Sequence, residues 1–162
     1  MLDLPNDIDL FELKHQPLSE KLRHTLSYHR PIDIRTVEPQ AMFGEEVTAP
    51  KRYIWMKSQH QLHADVALHQ AALAYASDYH FLSTALQAHP IKPNDKGIRM
   101  ATIDHAMWFH QPIDFNQWHV YNTVSPFTGN SRGLVQGQFF AQDNTLVATT
   151  MQEGMIRLSQ HK

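Results

Sequence analysis

The feature that most constrains the fold is an alanine-rich stretch without a charged side chain. It runs from Val66 to Ser77, which is twelve residues. Between about Gln61 and Tyr79 the apolar residues cover more than one face of a helix, and the uncharged stretch itself contains five alanines. The sequence therefore predicts one central helix that is buried nearly all round and has to be covered by the rest of the chain.

Segments with strand character lie on both sides of this helix. Before it, residues 32–37 and 51–56 alternate between apolar and polar side chains. After a loop with Pro90, Pro93 and Gly97, further strands are predicted over residues 98–110, 117–124, 133–142 and 145–157. Within them, Gly137 predicts a bulge, and Asp143-Asn144 predicts a tight turn between the last two strands.

Two strands, one helix and a run of antiparallel strands give an α+β layout. An antiparallel sheet has to wrap the Ala-rich helix to cover its apolar surface. This arrangement is typical of the hot-dog fold. We expect a single hot-dog domain over residues 31–162, preceded by a polar arm over residues 1–30 that contains a short helix over 17–29.

Composition removes several classes of function. Lys plus Arg (14) nearly balances Asp plus Glu (16), which argues against a nucleic-acid partner. The absence of cysteine excludes disulfides and thiolate chemistry. The first residues carry acids where an export signal would be basic and then apolar, and no apolar stretch approaches the roughly 20 residues that span a bilayer. We therefore expect a soluble, cytoplasmic protein without a membrane partner.

Familiar nucleotide-binding and zinc motifs are missing from the sequence. It contains no Gly-rich phosphate loop, no dinucleotide-binding fingerprint and no His-Glu-x-x-His zinc motif. Among its twelve histidines, His60 and His63 are the closest pair, with Asp65 as the only nearby carboxylate. We predict no metal site and no cofactor.

Asp78 is the unusual residue of the helix, because it ends the uncharged stretch. A carboxylate at the edge of an apolar helix can accept a proton from water, which is the role of a general base in a hydrolase. The local sequence favours a structural alternative, in which Asp78 caps a following short helix over residues 79–86.

Two later strands carry further polar candidates. If residues 100–110 form one strand, Thr102, Asp104 and Ala106 share one face, and His105 lies on the other. Asp104 is explained by a hydrogen bond or ion pair to a neighbouring strand, and His105 and His110 are more often structural than catalytic. In the last strand, Gln152 could hold a water or satisfy backbone groups.

Three segments together resemble the acyl-CoA thioesterase II family. They are residues 75–78 (Tyr-Ala-Ser-Asp), 101–110 (beginning Ala-Thr-Ile-Asp-His) and 147–154 (ending Gln-Glu-Gly). The similarity runs from about Arg30 to Arg157 in the same order and with similar spacing. The resemblance implies hydrolysis of acyl-CoA to fatty acid and CoA without a cofactor, with Asp78, Thr102 and Gln152 holding the attacking water.

Members of that family have two fused hot-dog units, and this chain resembles the second. In the family the acyl-CoA site lies at the seam between the units, so the resemblance implies a homodimer, a higher homo-oligomer or a missing N-terminal unit. One alternative is a non-catalytic acyl-CoA-binding or dimerisation domain. Another is a hot-dog dehydratase, which shares the fold more than the three segments.

Two further groups are expected to serve the reaction. Backbone N–H groups near the start of the Ala-rich helix would stabilise the oxyanion, because they are unpaired and the helix dipole is favourable there. Arg132, before Gly133, is a candidate for binding the CoA phosphates, and a surface arginine without a ligand is an equal alternative.

Overall fold

A computed structural model of the chain describes residue 4, residues 31–37, 49–91 and 95, and residues 97–158. Its elements follow the order β1 (Ile32–Thr36), β2 (Lys51–Ser58), α1 (Val66–Ser77), α2 (Phe81–Leu86), β3 (Ile98–Thr102), β4 (Ala106–Phe109), β5 (His119–Gly129), β6 (Arg132–Phe140) and β7 (Leu146–Leu158). The predicted short helix over residues 17–29 lies outside the described residues. The domain bounds stay a prediction.

The strands form one antiparallel sheet in the order β1-β2-β5-β6-β7-β3, and β4 also pairs with β7. Side chains alternate across this sheet, as the period of two in the sequence requires. In β2, for example, Ile54 and Met56 are fully buried against the helix side, whereas Tyr53 and Trp55 are only partly buried. The predicted α+β class, with a sheet around a central helix, is confirmed.

The prediction that α1 is buried nearly all round is wrong. One side of the helix is buried, through His69, Leu73, Ala76 and Ser77. On the other side Val66, Leu68 and Tyr75 are 61%, 40% and 53% exposed. The sheet covers only one side of α1, and no other part of the described chain covers the opposite side. Neither α1 nor α2 is long and apolar enough to cross a membrane.

The strand predicted over residues 98–110 is two strands separated by a bulge. Thr102 pairs with Gly154 and Ala106 pairs with Met151, so four steps along one strand oppose three along the other. Thr102 and Ala106 therefore lie on opposite faces, and the prediction that they share a face is wrong. Asp104 fixes the bulge, because its Oδ1 accepts the N–H of Glu153 at 2.9 Å. The predicted hydrogen bond from Asp104 to a neighbouring strand is thereby confirmed.

Gly137 does not form the predicted bulge. It pairs regularly with Thr123 in β5 and with Thr150 in β7. A Cβ at Gly137 would lie 2.4 Å from Thr150 Oγ1 and 2.6 Å from Tyr121 Oη. Glycine is therefore needed for close approach, because these two hydroxyls occupy the space above its Cα.

The turn predicted at Asp143-Asn144 is confirmed. Asn144 has a left-handed φ of 67°, which asparagine tolerates better than most residues. Its N–H donates to Ala141 O at 3.0 Å, and Asp143 Oδ1 accepts from Thr145 N at 2.9 Å. These bonds join β6 to β7.

Gly137→Ala tests the close-approach interpretation. We expect it to lower the free energy of unfolding by about 1–3 kcal/mol, because the added methyl group has no room. Gly129→Ala is the matched control: the nearest group to its Cβ would be the ring of Phe127 at 3.0 Å, and Phe127 is 53% exposed, so the ring can move. Urea unfolding measures the free energy of unfolding of both variants. Equal, small losses in the two variants would contradict the interpretation.

His119 predicts a loss of stability at mildly acidic pH. Its side chain is 2% exposed, and burial lowers its pKa below the ordinary 6.5, partly offset by its bond to Gln117 O and by Asp114. The unfolded chain therefore takes up this proton more readily than the folded chain, so the free energy of unfolding falls as pH drops through 6.5 and levels off below the folded pKa.

The measurement is urea unfolding at a series of pH values between about 8 and 5. We expect His119→Gln to have a flatter pH dependence than the wild type, and the exposed His110→Gln to keep the wild-type slope. A His119→Gln slope as steep as that of the wild type would show that His119 is not the source.

Candidate active site

The structure brings together Asp78, Thr102 and Gln152 from three elements. Asp78 follows α1, Thr102 ends β3, and Gln152 lies within β7. Gln152 Nε2 donates to Thr102 Oγ1 at 2.7 Å and to Asp78 Oδ1 at 3.1 Å. Thr102 Oγ1 lies 3.4 Å from the same Asp78 oxygen. The three polar groups form one hydrogen-bonded cluster, which we call the Asp-Thr-Gln cluster.

Sheet register and one glycine place this cluster. Thr102 pairs with Gly154, and Gln152 lies two residues away on the same face of β7. A Cβ at Gly154 would lie 2.3 Å from Leu82 Cδ2, so a side chain there would displace Leu82 of α2. The lack of a side chain at Gly154 therefore lets α2, which follows Asp78 closely in the chain, pack against β7.

Asp78 does not cap α2, so the structural alternative suggested by the local sequence is wrong. Asp78 occupies the C-cap position of α1, where its N–H bonds to Ala76 O. The N-cap position of α2 is held by His80, whose φ of 60° turns the chain between the two helices. The Asp78 carboxylate is therefore directed to the sheet and not to the amides of α2.

Water can reach the carboxylate. Asp78 and Thr102 are exposed, whereas Gln152 is fully buried. The hydrogen bonds to Asp78 from the described residues all use Oδ1, which leaves Oδ2 for a water molecule. A carboxylate with one oxygen anchored and the other open to solvent can remove a proton from that water.

His105 is a fourth member of the site that the strand pattern did not predict. Its Nδ1 lies 2.5 Å from Gln152 Oε1, and its Nε2 lies 2.8 Å from Ser77 Oγ. A regular strand would direct His105 away from Thr102, but the bulge at Asp104 changes its direction. The only signal in the sequence was the carboxylate of Asp104 inside an apolar strand. The other histidine considered structural, His110, bonds to Thr149 Oγ1 at 2.8 Å.

Ser77, His105 and Gln152 follow one another in the order of a serine-type triad, but the arrangement does not fit that chemistry. Ser77 is fully buried, so its hydroxyl cannot reach a substrate. That hydroxyl also lies 2.7 Å from Ala74 O, to which it can donate. Gln152 is neutral and cannot stabilise an imidazolium as a carboxylate does. Ser77 therefore supports the histidine and is not a nucleophile.

The buried hydroxyls of Tyr121 and Thr150 form a pair that is hydrogen-bonded to the backbone of Ser77. Tyr121 Oη donates to Ser77 O at 3.1 Å and accepts from Thr150 Oγ1 at 2.7 Å. Burial raises the pKa of the Tyr121 phenol well above its ordinary value, with a smaller opposing effect from Thr150. The phenol therefore stays protonated and remains a permanent donor to the end of α1.

The expected oxyanion donors lie at the wrong end of the helix. The Asp-Thr-Gln cluster is at the C-terminal end of α1, and the helix begins after Asp65, whose Oδ1 already accepts from Ala67 N at 2.9 Å. Twelve residues separate the two ends by about 18 Å at 1.5 Å per residue. The amides at the start of α1 therefore do not face the cluster in this chain.

Two further predictions concern Arg132 as a ligand of the CoA phosphates and the absence of a metal site. Arg132 begins β6 and is half-exposed, with Nη1 3.5 Å from Glu153 Oε2; a role in binding CoA phosphates stays a prediction. Within the described ranges, no group of three or more His, Asp or Glu side chains could share a metal ion. The expected absence of a metal and of a cofactor also stays a prediction.

Comparisons with known proteins agree with one another. A family described as acyl-CoA thioesterase matches residues 21–155. Acyl-CoA thioesterase 2 of Haemophilus influenzae is 41% identical over 145 residues, which cover 90% of this chain and 51% of that protein, in its C-terminal half. Acyl-coenzyme A thioesterase 8 of Mus musculus is 37% identical over 145 residues, covering 89% and 45%. The chain thus spans about half the length of these relatives.

Solved structures identify the fold. Acyl-CoA thioesterase II TesB2 from Mycobacterium marinum superposes with a TM-score of 0.71 at 30% identity, over 98% of this chain and 53% of that one. A protein of unknown function with a hot-dog fold from Alicyclobacillus acidocaldarius has a TM-score of 0.66 at 18% identity, over 98% and 52%, and bears on the fold alone. The hot-dog prediction is confirmed, and the chain belongs to the acyl-CoA thioesterase family.

Proposed function

We propose that the chain hydrolyses acyl-CoA thioesters to a free fatty acid and CoA by direct attack of water. Asp78 is the general base, and Thr102 and Gln152 hold the water. The observation that carries the proposal is the amide of Gln152, which donates to both Thr102 Oγ1 and Asp78 Oδ1. Family membership supports the substrate class.

The proposed reaction needs no covalent intermediate. A water bound at Asp78 Oδ2 gives one proton to the carboxylate while its oxygen attacks the thioester carbonyl carbon. The tetrahedral intermediate then collapses, the C–S bond breaks, and the CoA thiolate takes the proton from Asp78. The carboxylate is regenerated, and no cofactor takes part.

Thr102 is suited to orient that water. Because its oxygen accepts from Gln152 Nε2, its own proton is the one left to donate. The distance of 3.4 Å to Asp78 Oδ1 is longer than the usual 2.5–3.0 Å of an O–H···O bond. The hydroxyl can therefore turn its proton toward a bound water and lose only a weak interaction.

Asp78→Asn tests the base. Asparagine keeps an oxygen that can accept from Gln152 but cannot take a proton from water, so we expect kcat to fall about 10²- to 10⁴-fold. The assay follows free thiol released from a panel of saturated acyl-CoAs. Asp104→Asn is the matched control, because its oxygen can still accept the N–H of Glu153; we expect wild-type turnover from it.

Three results of that assay have different meanings. Full activity in Asp78→Asn would sink the assignment of the base. Saturable binding of acyl-CoA by a folded wild type that releases no thiol would favour the alternative function, a non-catalytic acyl-CoA-binding or dimerisation domain. Hydration of an enoyl-CoA without thiol release would instead indicate a dehydratase.

We also propose that a second copy of the chain covers the open edge beside the cluster. On one side β3 and β4 pair with β7, and no strand of the described chain pairs with their other side, so they form a sheet edge that is open to pairing. Trp108 and Ile103 at this edge are 51% and 48% exposed. A second copy would stand in for the other half of the relatives, which are about twice as long.

The exposure of the cluster supports the need for a second unit. Asp78 and Thr102 are both exposed, and three surface cavities of about 590, 330 and 390 Å³ are not lined by Asp78, Thr102 or Gln152. An acyl chain beside the cluster would lie on an exposed surface. A second unit against the β3–β4 edge would enclose it. A cytoplasmic location stays a prediction of the sequence.

Trp108→Glu tests the proposed dimer. We expect the wild type to sediment as a dimer at micromolar concentrations and the variant to sediment as a monomer with reduced thiol release, since a charge at the edge opposes its burial. Val124→Glu is the control, because Val124 is 40% exposed but lies on the central strand β5. A fully active wild-type monomer would contradict the proposal.

A further inference from the structure

We propose that His105 is a positioning residue that fixes the orientation of the Gln152 side-chain amide and thereby the Asp-Thr-Gln cluster. The inference rests on the proposed hydrolysis. It adds a residue that does not touch the water and acts through Gln152. Three observations carry it: the bonds of the amide, the packing of the ring and the bulge that directs it; the contacts of the ring then imply where its proton lies.

The Gln152 amide has polar contacts at both ends. Its Nε2 donates to Thr102 Oγ1 and Asp78 Oδ1, and its Oε1 lies 2.5 Å from His105 Nδ1. An amide rotated by 180° would place Oε1 against the Asp78 carboxylate, so that two acceptors would face each other. It would also place the NH₂ group against His105. A donor on His105 Nδ1 therefore selects the orientation that serves the cluster.

The contacts of the ring specify where its proton lies. Gln152 Oε1 only accepts, so Nδ1 has to carry a proton. On the other side, Nε2 lies 2.8 Å from Ser77 Oγ, which is also 2.7 Å from Ala74 O. A neutral ring accepts the Ser77 proton at Nε2, and a charged ring donates to Ser77 while Ser77 donates to Ala74. In both protonation states of the ring, the Nδ1–H group donates to Gln152 Oε1.

The ring is held in place by packing as well as by hydrogen bonds. His105 contacts the edge of Phe81, with ring centroids 5.8 Å apart and planes at 60°. Phe81 is fully buried and stacks on Tyr121 with centroids 5.7 Å apart. The Asp104 bulge sets the direction from which the ring enters. His105 is itself exposed, so substitutions there should be tolerated by the fold.

Two conservative variants distinguish the role of His105 Nδ1 from that of Nε2. In His105→Asn the side-chain nitrogen is as far from Cβ along the bonds as Nδ1, so it can still donate to Gln152. In His105→Gln the nitrogen corresponds to Nε2, so it can reach Ser77 but not Gln152. A positioning role predicts that His105→Asn keeps its activity and that His105→Gln loses it. A merely structural role predicts equal losses.

Thiol release measures the difference. We expect His105→Asn to keep most of the wild-type kcat, and His105→Gln and His105→Leu to lose roughly 10- to 100-fold, with little change in KM. His110→Leu is the matched control, since the His110 side chain bonds to Thr149 Oγ1 outside the cluster; we expect wild-type kcat from it. Wild-type kcat in His105→Leu, or equal kcat in the Asn and Gln variants, would overturn the proposal.

A second measurement does not depend on activity. Long-range ¹H–¹⁵N NMR correlations of the ring nitrogens, assigned to His105 by their absence in His105→Asn, report which nitrogen carries the proton. We expect Nδ1 to be protonated in the wild type and the Nε2–H form to increase in Gln152→Met. An unprotonated Nδ1 in the wild type would overturn the proposal, even if the wild type releases no thiol and the proposed hydrolysis fails.

Discussion

The site depends on one buried amide. Gln152 is fully enclosed within the sheet, and a buried amide is costly unless its donors and acceptor are hydrogen-bonded. Its partners are Asp78, Thr102 and His105, which come from three other parts of the chain. Satisfying Gln152 therefore fixes where α1 ends, where β3 ends and how the following segment turns. The arrangement proposed for catalysis is also the arrangement that keeps the amide stable.

Two departures from regular structure make this arrangement possible. Gly154 has no side chain where Leu82 would collide with one, so α2 can lie close to β7. The bulge fixed by Asp104 shifts the alternation of side chains between β3 and β4 by one residue, so that Thr102 and Ala106 lie on opposite faces of the sheet. Without the first, Leu82 could not keep its place against β7; without the second, His105 would point away from Gln152. Neither Gly154 nor Asp104 needs to touch the substrate to shape the site.

Sequence patterns predicted the sheet and, through family resemblance, the three cluster residues. The alternation of apolar and polar residues was sufficient to predict β1, β2 and β5 to β7, because these strands bury one face. It failed at residues 103–105, since a bulge depends on a hydrogen bond between Asp104 and Glu153 that periodicity does not contain. The burial of α1 was overestimated because apolar positions on several faces of a helix do not reveal how many of those faces the sheet covers. The amides at the start of α1, expected to stabilise the oxyanion, lie at the opposite end of the helix from the cluster, and the residue pattern alone does not contain that separation.

Rapid-quench mass spectrometry during a single turnover in H₂¹⁸O would test the proposed attack of water most directly. With enzyme in excess over acyl-CoA, direct attack puts one ¹⁸O into the first fatty acid released and leaves the protein mass unchanged at every time point. That is the result we predict. A transient acylated protein, or ¹⁸O in a peptide containing Asp78, would show that a side chain attacks first and would contradict the role of Asp78 as a general base.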